Sequence, residues 1–374
     1  MGQYFATVAR GLEPLAAEEL KQLGATSVTP QFCGVAFAGD RSLLYRVNLW
    51  GRIPFRVLVR LTEFPCRTAN DLYRGIQTVD WRPYLLPHHT LAVDATGQTP
   101  QLNHSHFTAL QVKNAIVDQQ RQGTGHRSSV NTQSPDVRVN IHLHRNRCTV
   151  SLDSSGSSLH RRGYRPAVGA APLKESLAAA LIRMTHWQPH LPFLDPLCGS
   201  GTLPLEASLI ALNIAPGLFR ERFGFQTWPD YDPQLWEELV AQAWEQRRPK
   251  LAAPIMGCDR NPEVIAQAMD NARTCGVEHQ VQLWQEDLSQ LQPPADHGVI
   301  LCNPPYGQRL GHGEDLDSFY SLLGNVLKQR FKGWSAYILS GNKRLSQTIG
   351  LKSAQRQPVL NGSLPCQLMK YELY

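Results

Sequence analysis

The second half of the chain contains four short apolar runs that each end on polar residues, and this repetition constrains the fold more than any other feature. The runs cover residues 192–194, 255–258, 281–284 and 298–301, and the polar residues that follow them include Asp195, Asp259, Asp287 and Asn303. Segments with helical character separate the runs, which predicts alternating strands and helices. Such an order is typical of a parallel α/β sheet whose strand ends meet at one edge.

The turn after the first of these strands is rich in glycine. Residues 195–202 read Asp-Pro-Leu-Cys-Gly-Ser-Gly-Thr, and a helix through Leu205, Leu209 and Leu212 follows. The turn has neither the three glycines of the dinucleotide fingerprint nor the Lys-Ser/Thr of a phosphate loop. An acidic residue that opens such a turn suits a ligand with a cationic amino-acid end, and S-adenosylmethionine is such a ligand.

The next two strand ends supply two more carboxylates. Asp259 is in the position of an acidic residue that binds a ribose hydroxyl, and Asp287 is placed to accept a hydrogen bond from an adenine amino group. Asp259 follows Asp195 by 64 positions, far more than the roughly 20 residues of a minimal unit. We attribute the excess to an insertion over residues 216–253 that is rich in aromatic residues and proline.

The fourth strand ends in Asn303, Pro304, Pro305 and Tyr306. The Asn side-chain carbonyl and the first Pro carbonyl can each accept a hydrogen bond from a planar exocyclic NH2. Two prolines restrict the backbone and add no competing N–H, and the Tyr ring offers a face on which a base can stack. These residues predict transfer of a methyl group to an amino nitrogen, but the motif defines the atom type and leaves guanine N2 and adenine N6 both open.

Several further segments, together with the turn and the Asn-Pro-Pro-Tyr motif, resemble the THUMP-domain RNA guanine-N2 methyltransferases, a family with RlmL-like 23S rRNA enzymes and TrmN-like tRNA enzymes. These segments are Arg-Arg-Gly-Tyr-Arg at 161–165, Ala-Pro-Leu-Lys-Glu at 171–175, Ile-Ala-Pro-Gly at 214–217, the run at 333–342, and Asn-Gly at 361–362. The resemblance implies a Rossmann-like class I methyltransferase domain with a seven-stranded sheet, preceded by a ferredoxin-like α/β subdomain and a THUMP domain. We place the boundaries at 1–65, 66–160 and 161–374.

The same resemblance implies roles for individual residues. Donor binding is assigned to the strand ends, the glycine-rich turn and the helix that leads into the fold: Leu173, Lys174, Asp195, Cys198, Gly199, Gly201, Thr202, Asp259, Arg260 and Asp287. The catalytic assignment is Asn303, Pro304, Pro305 and Tyr306. RNA contacts are assigned to Arg74 and Lys113 in the THUMP-like region and to Arg161, Arg162 and Arg165 in the connector.

Positive charge is concentrated in the part of the chain that lacks these motifs. Residues 1–165 hold 19 Lys and Arg against 11 Asp and Glu, a net of +8, whereas residues 166–374 hold 18 against 20, a net of −2. A basic region separate from the catalytic motifs suits docking to RNA phosphates, although a solvated basic face would have the same composition. The expected partner is a structured RNA, 23S rRNA or tRNA, with no obligate protein partner.

The remaining composition argues against several protein classes. No apolar stretch approaches the length of a membrane span, and the N-terminus has no basic region before an apolar core, so we expect a cytoplasmic protein without a signal peptide. The eight cysteines form no Cys-x-x-Cys pair and are expected to be reduced thiols. Histidine pairs at 88–89, 104–106 and 142–144 lack a carboxylate partner pattern, so we expect no metal site.

Two other functions stay open at this stage. An N6-adenine methyltransferase acting on nucleic acid would use the same Asn-Pro-Pro-Tyr motif. A non-catalytic RNA-binding or ribosome assembly factor could keep the fold as a scaffold, although the intact turn and motif argue against it.

Overall fold

The computed structural model describes residues 1–165, 173–306 and 315–374, which divide into two compact units. The first unit comprises Met1–Val8, Ala16–Leu159 and Arg220–Ala241, and the second comprises Ala9–Leu15, His160–Phe219 and Gln242–Tyr374. Residues 171 and 172 of the motifs above lie outside the described residues.

The N-terminal part of the chain forms one continuous mixed sheet. Its described strands have the order β2-β3-β1-β4-β8-β7-β5-β6. The elements are β1 Gly2–Thr7, α1 Glu13–Gln22, β2 Thr26–Gln31, β3 Gly34–Gly39, α2 Arg41–Trp50, β4 Arg56–Pro65, α3 Ala69–Gln77, β5 Thr90–Gly97, α4 Ser105–Thr124, β6 Ser129–Val130, β7 Val137–His144 and β8 Arg147–Asp153.

The sheet runs through the expected ferredoxin-like and THUMP-like parts without a break. Strand β4 pairs with β1 on one side and with β8 on the other, both antiparallel. Strand β2 was not anticipated from the sequence, because Thr26–Gln31 contains a proline. In the structure it is largely exposed. A proline is tolerated there because β2 is an edge strand.

The aromatic segment 220–241 belongs to the first unit, although the residues before and after it in the chain belong to the second. Phe225 stacks on Tyr45 of α2 with ring centroids 4.2 Å apart, and Trp236 packs edge-on against Phe223 and Phe225. The insertion expected over 216–253 therefore contributes packing to the N-terminal sheet and helices.

The second unit contains the doubly wound sheet expected from the sequence. Helix α7, Pro233–Glu245, lies mostly in the first unit and ends in the second. The other described elements of the second unit are α5 Glu175–Met184, β9 Phe193–Asp195, α6 Thr202–Ala211, β10 Ile255–Asp259, α8 Pro262–Thr274, β11 Val281–Gln285, β12 Gly298–Cys302, α9 Leu316–Arg330, β13 Trp334–Ser340, α10 Lys343–Thr348, β14 Gln355–Asn361 and β15 Leu364–Glu372.

The order of the seven described strands in this sheet is β11-β10-β9-β12-β13-β15-β14. Strands β9 to β13 are parallel, and β15 is antiparallel to β13 and β14. Strand β12 is buried along its whole length, as expected for a parallel strand covered on both faces. The strand order reverses between β9 and β12, and this switch point is where α/β sheets bind ligands.

Candidate functional site

A cleft of about 860 Å³ lies at the carboxyl ends of β9, β10, β11 and β12 in the second unit. Its volume is in the range of small-molecule sites. It brings together most of the residues expected from the sequence: Leu173, Asp195, Cys198, Gly199, Thr202, Asp259, Arg260, Asp287, Asn303, Pro304, Pro305 and Tyr306. The strand-end carboxylates and the Asn-Pro-Pro-Tyr motif therefore share one cavity.

The glycine-rich turn is tied to the neighbouring strand by hydrogen bonds. The Gly199 amide donates to Asp259 Oδ2 at 3.1 Å, and the Cys198 amide donates to the Cys258 carbonyl at 2.9 Å. The other oxygen of Asp259 accepts from the Asn261 amide at 3.0 Å. Asp259 thus links the turn to the start of α8, in addition to lining the cleft.

Gly201, which was expected to bind the donor, is not among the residues that line the cleft. It has φ +83° at the N-terminus of α6, and a Cβ there would lie 3.1 Å from the Ala268 Cβ of α8. Both the left-handed backbone and the close helix favour glycine. Gly201 therefore shapes the turn, and its neighbours Ser200 and Thr202 line the cleft.

Asp195 is a buried residue, only 2 % exposed. Its Oδ1 accepts a hydrogen bond from the Leu197 amide at 3.1 Å. Burial raises the pKa of Asp195 well above its usual range, and the negative charge of Asp259 adds to the shift. A cationic ligand group would stabilise the ionised carboxylate, so the site fits the ammonium end of S-adenosylmethionine.

The third strand end places two carboxylates at the cleft. Hydrogen bonds from Ser289 hold the pKa of Asp287 below its usual value, and its Oδ1 accepts from the Ser289 amide at 2.8 Å. Its neighbour Glu286, which the sequence reading did not select, also lines the cleft and accepts from Trp284 Nε1 at 2.7 Å. The carboxylate oxygens of these two residues can accept hydrogen bonds from an amino or hydroxyl group of a ligand in the cleft.

At the opposite end of this row of strands, Asn303 lines the cleft. Its Oδ1 is buried and has no hydrogen-bond partner among the residues that the structure describes. A buried acceptor without a donor costs about 1–3 kcal/mol. A bound ligand that carries an N–H group would remove that cost.

A β-hairpin that the sequence reading did not assign to the site closes this end of the cleft. Asn361, Ser363 and Leu364 line the cavity, together with Gly341 from the end of β13 and Phe319 and Leu322 from α9. Asn361 and Gly362 carried part of the family resemblance, and that was the only signal in the sequence for this part of the site.

The helix that leads into the fold contributes less than expected. Leu173 lines the cleft, but Lys174 is an exposed residue at the N-terminus of α5 and does not line it. The structure therefore places the lysine apart from the other residues expected to bind the donor.

Two of the three connector arginines, which were expected to contact RNA, have largely buried side chains that pair with carboxylates. Arg162 is 2 % exposed and pairs with the fully buried Glu206 at 3.4 Å, and Tyr164 Oη donates to the same carboxylate at 3.0 Å. Arg165 pairs with Glu175 at 3.6 Å and donates to Thr202 Oγ1 at 2.6 Å. Both side chains support the region behind the glycine-rich turn, whereas Arg161 is exposed.

The two expected RNA contacts in the first unit lie on neighbouring helices. Arg74 is exposed on α3, and Lys113 is half-buried on α4 with its Nζ 2.6 Å from Asn114 Oδ1. Tyr73 and Asp118 join these helices through a 2.7 Å hydrogen bond. The two basic residues are thus carried by a fixed pair of helices.

The described residues contain no group of three or more His, Cys, Asp and Glu side chains arranged to hold a metal ion. His142 and His144 stack on the exposed side of β7 with ring centroids 6.2 Å apart. All eight cysteines fall within the described ranges and are free thiols, as expected. A search of the described helices found none that could cross a membrane.

Three family models match consecutive parts of the chain. The RlmL ferredoxin-like domain matches residues 3–58, the THUMP domain matches residues 66–153, and the RMKL-like methyltransferase domain matches residues 162–370.

Two related proteins cover nearly the whole chain. A Synechocystis sp. protein described as a candidate RNA methyltransferase is 56 % identical over 371 residues, which are 99 % of this chain and 97 % of the relative. The ribosomal RNA large subunit methyltransferase K/L of Methylococcus capsulatus is 40 % identical over 377 residues, which are 99 % of this chain but 51 % of the relative. The chain thus spans about half the length of that relative.

Two solved structures are similar over the full length of this chain. One is a candidate methyltransferase complexed with S-adenosylhomocysteine, with a TM-score of 0.89, 32 % identity and coverage of 98 % of that chain. The other, from Listeria monocytogenes, is described as a predicted N6-adenine-specific DNA methylase and has a TM-score of 0.88, 30 % identity and coverage of 96 % of that chain.

Proposed function

Since the chain belongs to the RMKL-like methyltransferase family, with RlmL ferredoxin-like and THUMP domains, we propose that it methylates the exocyclic N2 amino group of a guanosine in structured RNA. The fold class expected from the sequence is confirmed by these domains and by the seven-stranded sheet. Membership of the family also makes S-adenosylmethionine the methyl donor. The domain boundaries at residues 65 and 160 remain proposals.

The observation that carries this proposal is the unsatisfied Oδ1 of Asn303 in the cavity that also holds the donor-side carboxylates. A target amino group has two hydrogens, and Asn303 Oδ1 can accept one of them. The carbonyl of Pro304, which also lines the cleft, is the acceptor that we assign to the other. An acceptor held in place before the substrate arrives needs no reorganisation during the reaction.

The residues of the cleft divide the remaining work. Asp195, Asp259 and Asp287 would hold the amino-acid, ribose and adenine parts of the donor, and the donor supplies an electrophilic methyl group on its sulfonium. Asn303 and Pro304 align the target nitrogen, whose lone pair is otherwise conjugated into the base. Their oxygens also stabilise positive charge that develops on that nitrogen, and the product amine then releases its proton to water.

The target base must leave its stack to enter the cleft, and the Tyr306 ring provides a surface for the extruded base. The basic character of residues 1–165 and the THUMP match support RNA as the substrate. The name of the K/L relative points to large-subunit rRNA in preference to tRNA. We therefore propose 23S rRNA as the substrate to be tested first.

Adenine N6 is the second candidate target, because the name of the similar Listeria structure specifies an N6-adenine methylase. The acceptors of Asn303 and Pro304 would serve that amino group equally well. A role as a non-catalytic assembly factor is less well supported, since a scaffold gains nothing from a buried acceptor without a partner. Mass spectrometry of nucleosides from separated rRNA and tRNA of a deletion strain distinguishes the three: loss of N2-methylguanosine, loss of N6-methyladenosine, or loss of neither.

The mechanism is tested by replacing Asn303. We expect Asn303→Ala to slow single-turnover methyl transfer about 10²–10³-fold, the usual cost of one preorganised hydrogen bond in a water-excluded site. RNA affinity should barely change, because phosphate contacts dominate it. Asn303→Asp should be milder, since a carboxylate oxygen still accepts the bond. Transfer by Asn303→Ala at nearly the wild-type rate would show that the residue is structural and would refute the assignment.

A further inference from the structure

The Tyr306 hydroxyl is held by the β14–β15 hairpin. Asn361 Nδ2 donates to Tyr306 Oη at 2.8 Å, and Cys366 Sγ lies 3.6 Å from the same oxygen. Asn361 is the last residue of β14, and Cys366 is on β15. The phenol is therefore anchored to an element that is 55 and 60 positions away in the sequence.

The edge of the Tyr306 ring packs against Gly341, the residue that follows strand β13. A Cβ at Gly341 would lie 2.9 Å from Tyr306 Cδ2 and 3.0 Å from Leu364 Cδ2. The ring and the Leu364 side chain therefore both approach the Gly341 backbone too closely for a larger residue at that position. Glycine at 341 leaves the space that Tyr306 occupies.

The hairpin tip forms a wall of the cleft. Asn361 pairs with Leu364 in the β14–β15 register, so residues 362 and 363 make the turn. Asn361, Ser363 and Leu364 line the cavity beside Asn303 and Tyr306. Leu364 remains 42 % exposed, which offers apolar surface to a planar ligand at the cleft.

We propose that Asn361 is a positioning residue that fixes the Tyr306 ring for the target base. The inference rests on the proposed function, because it assigns a role to this hairpin in the same methyl transfer. A stacked base needs a ring face at a defined angle, and the Oη anchor restrains rotation of the phenol.

The test is a double-mutant cycle on the full-length protein with Asn361→Ala, Tyr306→Phe and the double variant. Single-turnover methylation of unmodified 23S rRNA made by transcription is measured, with bulk tRNA from a deletion strain as a second substrate. Each single variant should lower the rate about five- to tenfold, the usual size of one hydrogen bond. The double variant should lose no more than Tyr306→Phe alone, because that change already removes the bond that Asn361→Ala breaks.

Three further measurements separate positioning from a general structural effect. Asn361→Asp should recover most of the rate, since the Tyr306 hydroxyl can donate to a carboxylate. Calorimetry with S-adenosylhomocysteine should give unchanged donor affinity for every variant. Gln367→Ala, at an exposed position on β15, is the matched control and should behave as wild type.

Each outcome decides the proposal. Additive losses in the double variant, or a rate unchanged by Asn361→Ala, would overturn the role of Asn361 while the proposed function stands. Loss of S-adenosylhomocysteine binding in Asn361→Ala would show that the hairpin serves the donor side instead. If the wild-type protein methylates neither RNA, the proposed function fails and this inference fails with it.

Discussion

Two buried polar side chains define the chemistry of the cleft at the scale of single residues. Asp195 is 2 % exposed, and burial together with the negative charge of Asp259 raises its pKa well above the usual range. Asn303 Oδ1 is buried without a donor among the described residues. Each is unfavourable in the free protein, and a ligand with an ammonium group beside Asp195 and an amino group beside Asn303 would stabilise both.

The raised pKa of Asp195 predicts that donor binding depends on pH. A ligand ammonium favours the ionised carboxylate, so affinity should fall as the pH is lowered through the raised pKa, and binding below it should release a proton. The stability of the free protein depends on pH in the opposite direction from donor affinity. The protonated Asp195 carboxyl favours the folded state at low pH, and this contribution to stability is lost as the pH rises through the folded-state pKa. Calorimetry with S-adenosylhomocysteine in buffers of different ionisation enthalpy measures the proton release.

Asp195→Asn is the control for that experiment, because it removes the titrating group and retains a polar side chain. Its donor affinity should be lower than that of wild type at neutral pH and should lose this pH dependence. Proton release that persists in Asp195→Asn would assign the titration to another residue.

We predict that Asp259→Ala weakens donor binding at least about tenfold, a loss of roughly 1.4 kcal/mol. The substitution would remove the acceptor for the ribose hydroxyls, and it also breaks the hydrogen bonds from the Gly199 and Asn261 amides. Titration calorimetry measures the loss. The control is Asp270→Ala in α8, whose carboxylate forms an exposed pair with Arg273 and should leave donor affinity unchanged.

At the scale of elements, the donor side of the cleft is built from the turn between β9 and α6. Arg165 reaches Thr202 at the first position of α6, and Arg162 pairs with Glu206 one turn later. Buried charges that keep their partners are tolerated, whereas removal of one partner is costly. These arginines therefore stabilise the element that carries Gly199 and Thr202, which line the cleft.

Gly201→Ala should destabilise the protein and weaken donor binding together. The left-handed backbone disfavours alanine by about 1–2 kcal/mol, and the added Cβ lies 3.1 Å from Ala268, so α6 would have to shift. Denaturant unfolding and calorimetry measure the two effects. Gly123→Ala in α4 is the matched control: no atom lies within 4 Å of its added Cβ, and alanine there should be neutral or stabilising.

At the scale of the whole molecule, the charge is divided unevenly along the chain, with a net of +8 in residues 1–165 and −2 in the remainder. The first compact unit also includes Arg220–Ala241, whose Phe225 stacks on Tyr45. A fragment that ends near residue 160 would lack this packing. RNA binding is therefore best measured on the full chain.

We predict that RNA affinity falls steeply with salt, because basic residues displace counterions from phosphates. Arg74→Ala and Arg161→Ala, at exposed positions, should each reduce the slope of log K against log salt by about one. Arg162→Ala is the contrasting variant, since that buried residue should lower stability without changing the slope. Equal slopes for all three variants and the wild type would contradict the assignment of Arg74 and Arg161.

The sequence alone determined the strand-end pattern of the second unit. Asp195, Asp259, Asp287 and Asn303 could be placed in one cleft because a parallel sheet brings the carboxyl ends of its strands to the same edge. The glycine-rich turn and the Asn-Pro-Pro-Tyr motif are local in sequence. Their chemistry therefore follows from residue type and spacing, whatever packs around them.

Tertiary structure alone decided what surrounds that edge. Asn361 meets Tyr306 across 55 positions, and Glu206 meets Arg162 across 44, and contacts of that range leave no periodic signal in a sequence. A run of arginines has the same composition whether its members face solvent or a buried carboxylate. The aromatic segment 220–241 likewise gives no indication of which unit it joins, because apolar burial is non-directional and depends on the surface that the fold presents to it.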